Sequence, residues 1–424
     1  MEDTRLYAML LGIDFPWRIS RVQVDMASER IDVWVEEASG ARFSCAACRQ
    51  DAPVYDHTAE QVWRHLDTCQ CRTYVHACLP RTNCPRDGVK QVRAPWAEPR
   101  SQFTRRFEVR LIDTLKECDV TGVTRLAGTS WEETWGVMMK AVTRGLSRKT
   151  RRVPVRIGID EKSVGKGHDY ESLVCDLDRG TVEYVVDDRK QESLESYFLQ
   201  FTKEELSQIE AIAMDMWEPY ILAAQACVPE AAKKIVFDRF HATRQVTSAV
   251  DKVRRGEHKA LAKRGDQRLK GTKYLWLRNE ENVPEWRREE FVAVKNANLK
   301  TSRAWAIKEA LRDFWTYSYT KCAEKYFNSW YFWATHSRMS PIIAAAKTLK
   351  RHLANLLTYF KHRITNATAE GINSKIQMVK LMACGYRNRQ HYRAAIYFHC
   401  GGLDLSPDRS PHELCTTRSW GYPH

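Results

Sequence analysis

The spacing of apolar positions changes several times along the chain, and each change marks an element. Leu6 to Leu11 reads as the start of a helix, after which Val22, Val24, Ile31, Val33 and Val35 alternate with other residues. Alternation sends successive side chains to opposite faces, so this opening stretch is expected to supply strands of a small β-containing module. From Phe107 to Cys118 the period becomes helical, and it resumes after Trp131 with Val137, Met138 and Ala141. Between them, Val120 to Gly128 ends on a tight glycine turn, and Ser130 with Glu133 has the capping-box spacing that predicts a helix start at Trp131. This order predicts a helix-turn-helix, with Trp131, Thr134, Lys140 and Arg144 near a DNA groove or backbone. The following Arg148, Lys149, Arg151 and Arg152 read as phosphate anchors. An ordinary helical hairpin is the rival reading.

Beyond Val153 the pattern turns to strands. Val155, Ile157 and Ile159 share one face while Asp160 falls on the other. Ser172 to Cys175 and Thr181 to Val186 are two further strands around the turn Asp178-Arg179-Gly180. One amphipathic helix is expected over Leu194 to Ile209, then a buried strand from Ala211 ending in Asp215, a helix over Pro219 to Val228, and a fifth strand, Lys234 to Asp238, leading into His241. Three antiparallel strands followed by two parallel additions predict an α/β multidomain chain with a ribonuclease H-like mixed sheet, whose active acids sit at strand ends. The span from Thr243 to Pro341 has helical periodicity and reads as an all-helical insertion whose tryptophans form its own core. Its basic face is free to follow DNA.

After the insertion, Ile364 to Gln377 predicts a capped helix on which Glu370, Asn373 and Gln377 share a face. Asp160, Asp215 and Glu370 are therefore candidates to converge on hard divalent cations, with Glu161, Glu218 and Asp238 as rivals. Two such ions about 3.5–4 Å apart serve phosphoryl transfer. His241, after the fifth strand, is placed to touch the scissile phosphate or a metal-bound water, or alternatively to cap or pack. Lys375, Lys380, Arg387, Arg389 and Arg393 extend a phosphate-binding surface along this helix and its successor.

Composition narrows the classes. With 43% hydrophobic and 28% charged residues among 424, wholesale disorder, a collagen-like repeat and a multi-span membrane protein are excluded. Lys plus Arg outnumber Asp plus Glu by 67 to 53, and a net charge of +14 points to a polyanionic partner. No stretch approaches the roughly 18–20 apolar residues of a spanning helix, and Met1 to Arg5 has the wrong polarity for a secretory signal, so a cytosolic location is expected. Six of the 13 cysteines lie between Cys45 and Cys84, which in a reducing compartment favours metal ligation. Cys45 and Cys48 have the two-residue spacer of a zinc site, Cys84 lies in a turn-prone context, and Asp87 has the spacing of a fourth ligand. Cys69, Cys71, Cys78 and His57 compete for that place, and buried free thiols are the alternative to zinc.

These residues carry a resemblance. Cys45-x-x-Cys48 with Trp63-Arg64-His65-Leu66-Asp67, Val92 to Ala97, the helix-turn-helix around Ser130-Trp131, Ile157 to Glu161, Asp215-Met216-Trp217, Asp238 to His241, and Asn366 to Asn373 together resemble bacterial insertion-sequence transposases of the ISL-three group. The resemblance runs nearly end to end. It implies a DDE transposase in which Asp160, Asp215 and Glu370 hold two Mg ions in a ribonuclease H-like core that cleaves transposon ends and joins them to target DNA. It also implies one structural Zn in the N-terminal module, upstream recognition of terminal inverted repeats in double-stranded DNA, and at least a homodimer on DNA. Related sequences tend to carry His where this chain has Asp87, which implies an altered or weaker zinc site. The expected division is residues 1–100 for the zinc module, 101–152 for the helix-turn-helix, 153–242 for the first part of the core, 243–341 for the insertion and 342–424 for the end of the core and the tail. A nuclease without strand transfer and a zinc-bearing DNA-binding regulator are the two rival functions.

Overall fold

The computed structural model describes residues 3–163, 170–237, 239–364 and 367–407. Asp238 and Asn366 lie outside them. Helix α1 (Asp3–Leu11) precedes a sheet of β1 (Trp17–Asp25), β2 (Arg30–Glu37), β3 (Arg42–Ser44), β4 (Asp51–Arg64), β5 (Arg72–Cys84) and β6 (Gly88–Gln91). Its order is β1-β2-β5-β4-β3, with β6 also on β5. The alternation at Ile31, Val33 and Val35 fills the core beneath it, where Trp96 meets Trp17 and Trp63 at centroid separations of 5.2 and 5.5 Å.

Three helices follow: α2 (Arg105–Glu117), α3 (Val120–Ala127) and α4 (Trp131–Arg148). Each starts on a side chain that accepts a backbone N–H: Thr104, Asp119 and Ser130. The capping box at Ser130 and Glu133 is formed, and Gly128 takes the left-handed conformation, φ 64°, that turns α3 into α4.

The second sheet contains β7 (Arg156–Ser163), β8 (Tyr170–Asp176), β9 (Thr181–Asp187), β10 (Ala211–Met214) and β11 (Ile235–Phe237), in the order β11-β10-β7-β8-β9. β7, β8 and β9 are antiparallel, whereas β10 and β11 run parallel to β7. The single helix expected over Leu194 to Ile209 is instead two, α5 (Gln191–Phe198) and α6 (Lys203–Ser207), because Thr202 and Glu205 form a capping box that restarts the chain. Helices α7 (Glu218–Cys227) and α8 (Ala231–Lys234) flank β10 and β11.

A helical layer then runs through α9 (Arg239–Ala262), α10 (Lys273–Leu277), α11 (Arg288–Lys295), α12 (Lys300–Leu311), α13 (Thr320–Thr335), α14 (Ser340–Arg351) and α15 (Leu353–His362). Trp276, Trp305, Trp315 and Trp330 are buried in it, as expected of core residues, whereas Trp286 and Trp333 are exposed and do not belong to that core. That core is continuous with one face of the second sheet through Ile157, Ile159, Ile212 and Phe237. The opposite face, Leu173, Cys175, Val182 and Val185, packs on α16 (Ala367–Met382) and α17 (Arg389–Cys400), and the same cluster takes in Leu111, Trp135, Met138 and Val142 of α2 and α4. The three-helix unit and the second sheet thus share an interior. No helix among the described residues is long and apolar enough to cross a membrane.

Candidate active site and metal centre

Gly158 of β7 pairs with Ala213 of β10, and continuing that parallel register by two residues sets Asp160 beside Asp215. Asp160 Oδ1 accepts the Glu161 N–H at 2.8 Å, and the Asn373 amide donates to Asp160 Oδ2. Asn373 follows Glu370 by one turn of α16, so this bond ties the helix carrying the third acid to β7. Asp215 Oδ1 accepts the Trp217 N–H at 3.0 Å. Burial pushes the Asp215 carboxyl above its ordinary range, His241 opposes the shift, and Glu161 and Asp160 add to it. Crowded negative charge of this kind suits a divalent cation with oxygen ligands.

The structure brings Asp160, Asp215 and His241 together and leaves Glu370 exposed on the neighbouring helix. Among the described residues, these acids do not gather three ligand atoms within 4.8 Å of one another. Of the rivals, Glu161 is held by Arg189 at 3.2 Å and Glu218 is exposed at the start of α7. Arg189 itself was not foreseen. Its guanidinium lies 4.5 Å from the ring centroids of both Tyr170 and Trp217, and its carbonyl accepts the Trp217 indole N–H at 3.1 Å. The only local signal for it was Trp217 two residues beyond Asp215.

In the N-terminal sheet, Cys45, Cys48, Cys84 and Asp87 place their ligand atoms all within 4.8 Å of one another. Cys45 and Cys48 lie on the β3–β4 turn, and Cys84 ends β5 just before the turn that holds Asp87. Asp87 Oδ2 is 3.6 Å from both Cys45 Sγ and Cys84 Sγ, and Cys48 Sγ is 3.4 Å from Cys84 Sγ. Tetrahedral zinc with Zn–S bonds of about 2.3 Å needs edges near 3.8 Å, so the set fits. Backbone N–H groups of Cys48 and Ala47 lower the Cys45 thiol, whereas the Asp87 carboxylate pushes Cys48 up to about 12. The competing ligands are elsewhere: Cys71 is buried in the sheet core, Cys69 and Cys78 are exposed, and His57 pairs with Glu37 at 2.5 Å.

The basic run after α3 requires correction. Thr134 is fully buried, and its hydroxyl meets Thr129 Oγ1 at 2.8 Å and the Ser130 carbonyl at 3.0 Å, so it braces the helix start and cannot reach a groove. Arg144 is nearly enclosed and donates to Glu98 at 2.6 Å and to the Leu405 carbonyl at 2.7 Å. Arg148 donates to the Ser406 carbonyl at 2.6 Å, Lys149 pairs with Glu183 at 2.9 Å, and Arg152 binds buried Asp176. Lys140 and Lys375 are exposed, as is most of Arg151 despite its 2.9 Å pairing with Glu205. Trp131 remains 40% exposed, and Lys380 has an interaction within the chain.

Comparison with known proteins bears on both sites. Residues 157–396 match the ISL3 transposase family of the DDE class. Residues 92–142 match the helix-turn-helix domain of transposase family ISL3, and residues 41–87 match the zinc-finger of the transposases of IS204, IS1001, IS1096 and IS1165. The transposase for insertion sequence element IS1557 of Mycobacterium tuberculosis is 26% identical over 443 aligned positions, covering 97% of this chain and 99% of its own. The transposase for IS1001 of Bordetella parapertussis is 27% identical, covering 82% of this chain and 85% of its own.

Proposed function

The chain belongs to the ISL3 family of insertion-sequence transposases, and from that premise we propose that Asp160, Asp215 and Glu370 are its catalytic metal ligands. As a family member it is a DNA transposase with a DNA-binding helix-turn-helix, acting by cleavage and strand transfer. The observation that carries the residue assignment is the side-by-side register of Asp160 and Asp215 with the Asn373 amide on Asp160, which tethers α16 and Glu370 to the strand ends. The strand order supports a ribonuclease H-like core.

Two Mg ions bound by these acids would polarise the scissile phosphoryl group and lower the proton affinity of an attacking water or 3′ hydroxyl. Asp160 and Asp215 would offer oxygen ligands from adjacent strands, Glu370 would add a carboxylate from α16, and His241 beside Asp215 would contact the scissile phosphate. Arg189 holds Glu161 aside from the metal ligands. Zn is the ion we assign to Cys45, Cys48, Cys84 and Asp87. Lys140, Arg151 and Lys375 hold DNA phosphates, with the zinc module at residues 1–100 and the helices at 101–152 reading the terminal inverted repeats. The segments 153–242 and 342–424 complete the core around the insertion at 243–341, and two copies act together to hold two ends.

The test is nicking of DNA carrying the element's ends in Mg, followed by joining of a pre-cleaved end to a target plasmid. Asp215→Asn and Glu370→Gln should each lower both steps by at least about a hundredfold while leaving end binding intact. Equal nicking by wild type and Asp215→Asn overturns the assignment.

A further inference from the structure

Away from the acids, a cavity of about 340 Å³ opens where the start of α4 faces the loop between α16 and α17. Trp131 and Trp135 stack there with centroids 5.5 Å apart and planes at 10°, and His391 lies 4.3 Å from Trp135 and 5.6 Å from Trp131. Trp135 is core, but Trp131 is not: it keeps 40% of its surface exposed, and α4 is already capped by Ser130 and Glu133. The wall also holds Tyr386, the Asp119 carboxylate and, from the exposed loop, Arg387.

We infer that this cavity receives one base extruded from the DNA duplex, stacked on Trp131. The inference rests on the transposase reading, which supplies the ligand class. A flat π-system gains from indole stacking whatever its sequence. Asp119 caps α3 with Oδ1, which accepts the Gly122 N–H at 3.1 Å, and its other carboxylate oxygen can accept a hydrogen bond from the amino edge of an adenine, cytosine or guanine; Arg387 is placed for the flanking phosphate. Position agrees as well. Met382 lines the cavity on the same helix that carries Glu370, and the rise of that helix separates the two by about 18 Å, roughly five base steps of duplex. One substrate can therefore occupy both sites. Extrusion costs unpairing and unstacking, which the indole stack offsets.

The experiment is a coupling measurement on full-length protein, using equilibrium binding to duplexes that carry the terminal repeat with an abasic nucleotide scanned through the first ten or so positions inside the cleavage point. Trp131→Ala should weaken binding of the unmodified duplex by about 5- to 150-fold, Trp131→Phe by much less. At one position, near the fifth, the abasic substitution should remove the difference between wild type and Trp131→Ala to within about twofold. An equal penalty at every position overturns the pocket, while intact wild-type binding and nicking in the same assays leave the transposase reading standing. Wild-type protein that neither binds nor nicks these ends overturns both. Thermal melting of Trp131→Ala, expected to stay one cooperative transition with only the small drop that losing the Trp135 and His391 contacts brings, separates lost base stacking from misfolding.

Discussion

Glu171 shows how a single buried acid can set a pH response. It lies on β8 with no surface exposed, neither carboxylate oxygen has a hydrogen-bond partner among the described residues, and Arg393 approaches only to 3.8 Å. Burial pushes its carboxyl up to about 7, Arg393 opposing and Asp187 reinforcing. A folded-state value above the unfolded one means that the group's stabilisation is complete below about pH 4.5 and is lost as pH rises through about 7. Glu171→Gln should therefore be more stable than wild type at pH 8, on the order of 2 kcal/mol, and equal to it near pH 4.5; denaturant melts at both values check the sign. The proposed zinc ligands give a second expectation at this scale. Cys84→Ala should lose the single Zn in elemental analysis and open the β3–β4 turn to proteolysis, whereas Asp87→His should retain the metal at least as tightly, because imidazole is among the usual ligands of structural zinc.

Most elements whose cause was local were legible in the sequence. The capping box at Ser130 and Glu133 fixed the start of α4, and alternation at Ile157 and Ile159 placed Asp160 on the opposite face of β7. The break between α5 and α6 had the same local cause at Thr202 and Glu205, but the longer apolar period hid it. What escaped was non-local. The partners of the run from Arg144 to Arg152 are Glu98, Asp176, Glu183, and the backbone near Leu405, none of which any neighbouring pattern announces. Those charges answer interior anions rather than phosphates. The same crossing makes Gly145 a sensitive position, since a Cβ there would lie 2.7 Å from Leu403 Cβ and 3.2 Å from the Asp404 carbonyl. Gly145→Ala should cost about 1–3 kcal/mol and lower the melting temperature, which calorimetry will register.

At the level of the whole molecule, the helix-turn-helix and the second sheet are not beads on a string. Val142 and Trp135 of α4 belong to the same apolar cluster as Val182 of β9 and Tyr397 of α17. A chain ending before Arg389 should accordingly lose affinity for terminal-repeat DNA although every residue from Arg105 to Arg148 is present, and a gel shift against the full chain decides it. The contacts of α4 with Leu403, Leu405 and Ser406 carry a temporal consequence. A ribosome releases the last of these residues more than two hundred and fifty positions after α4 has emerged, so the helix-turn-helix settles only after that long interval. A frameshift anywhere between α4 and Leu403 would thus disable the DNA-binding helices although their own codons are intact.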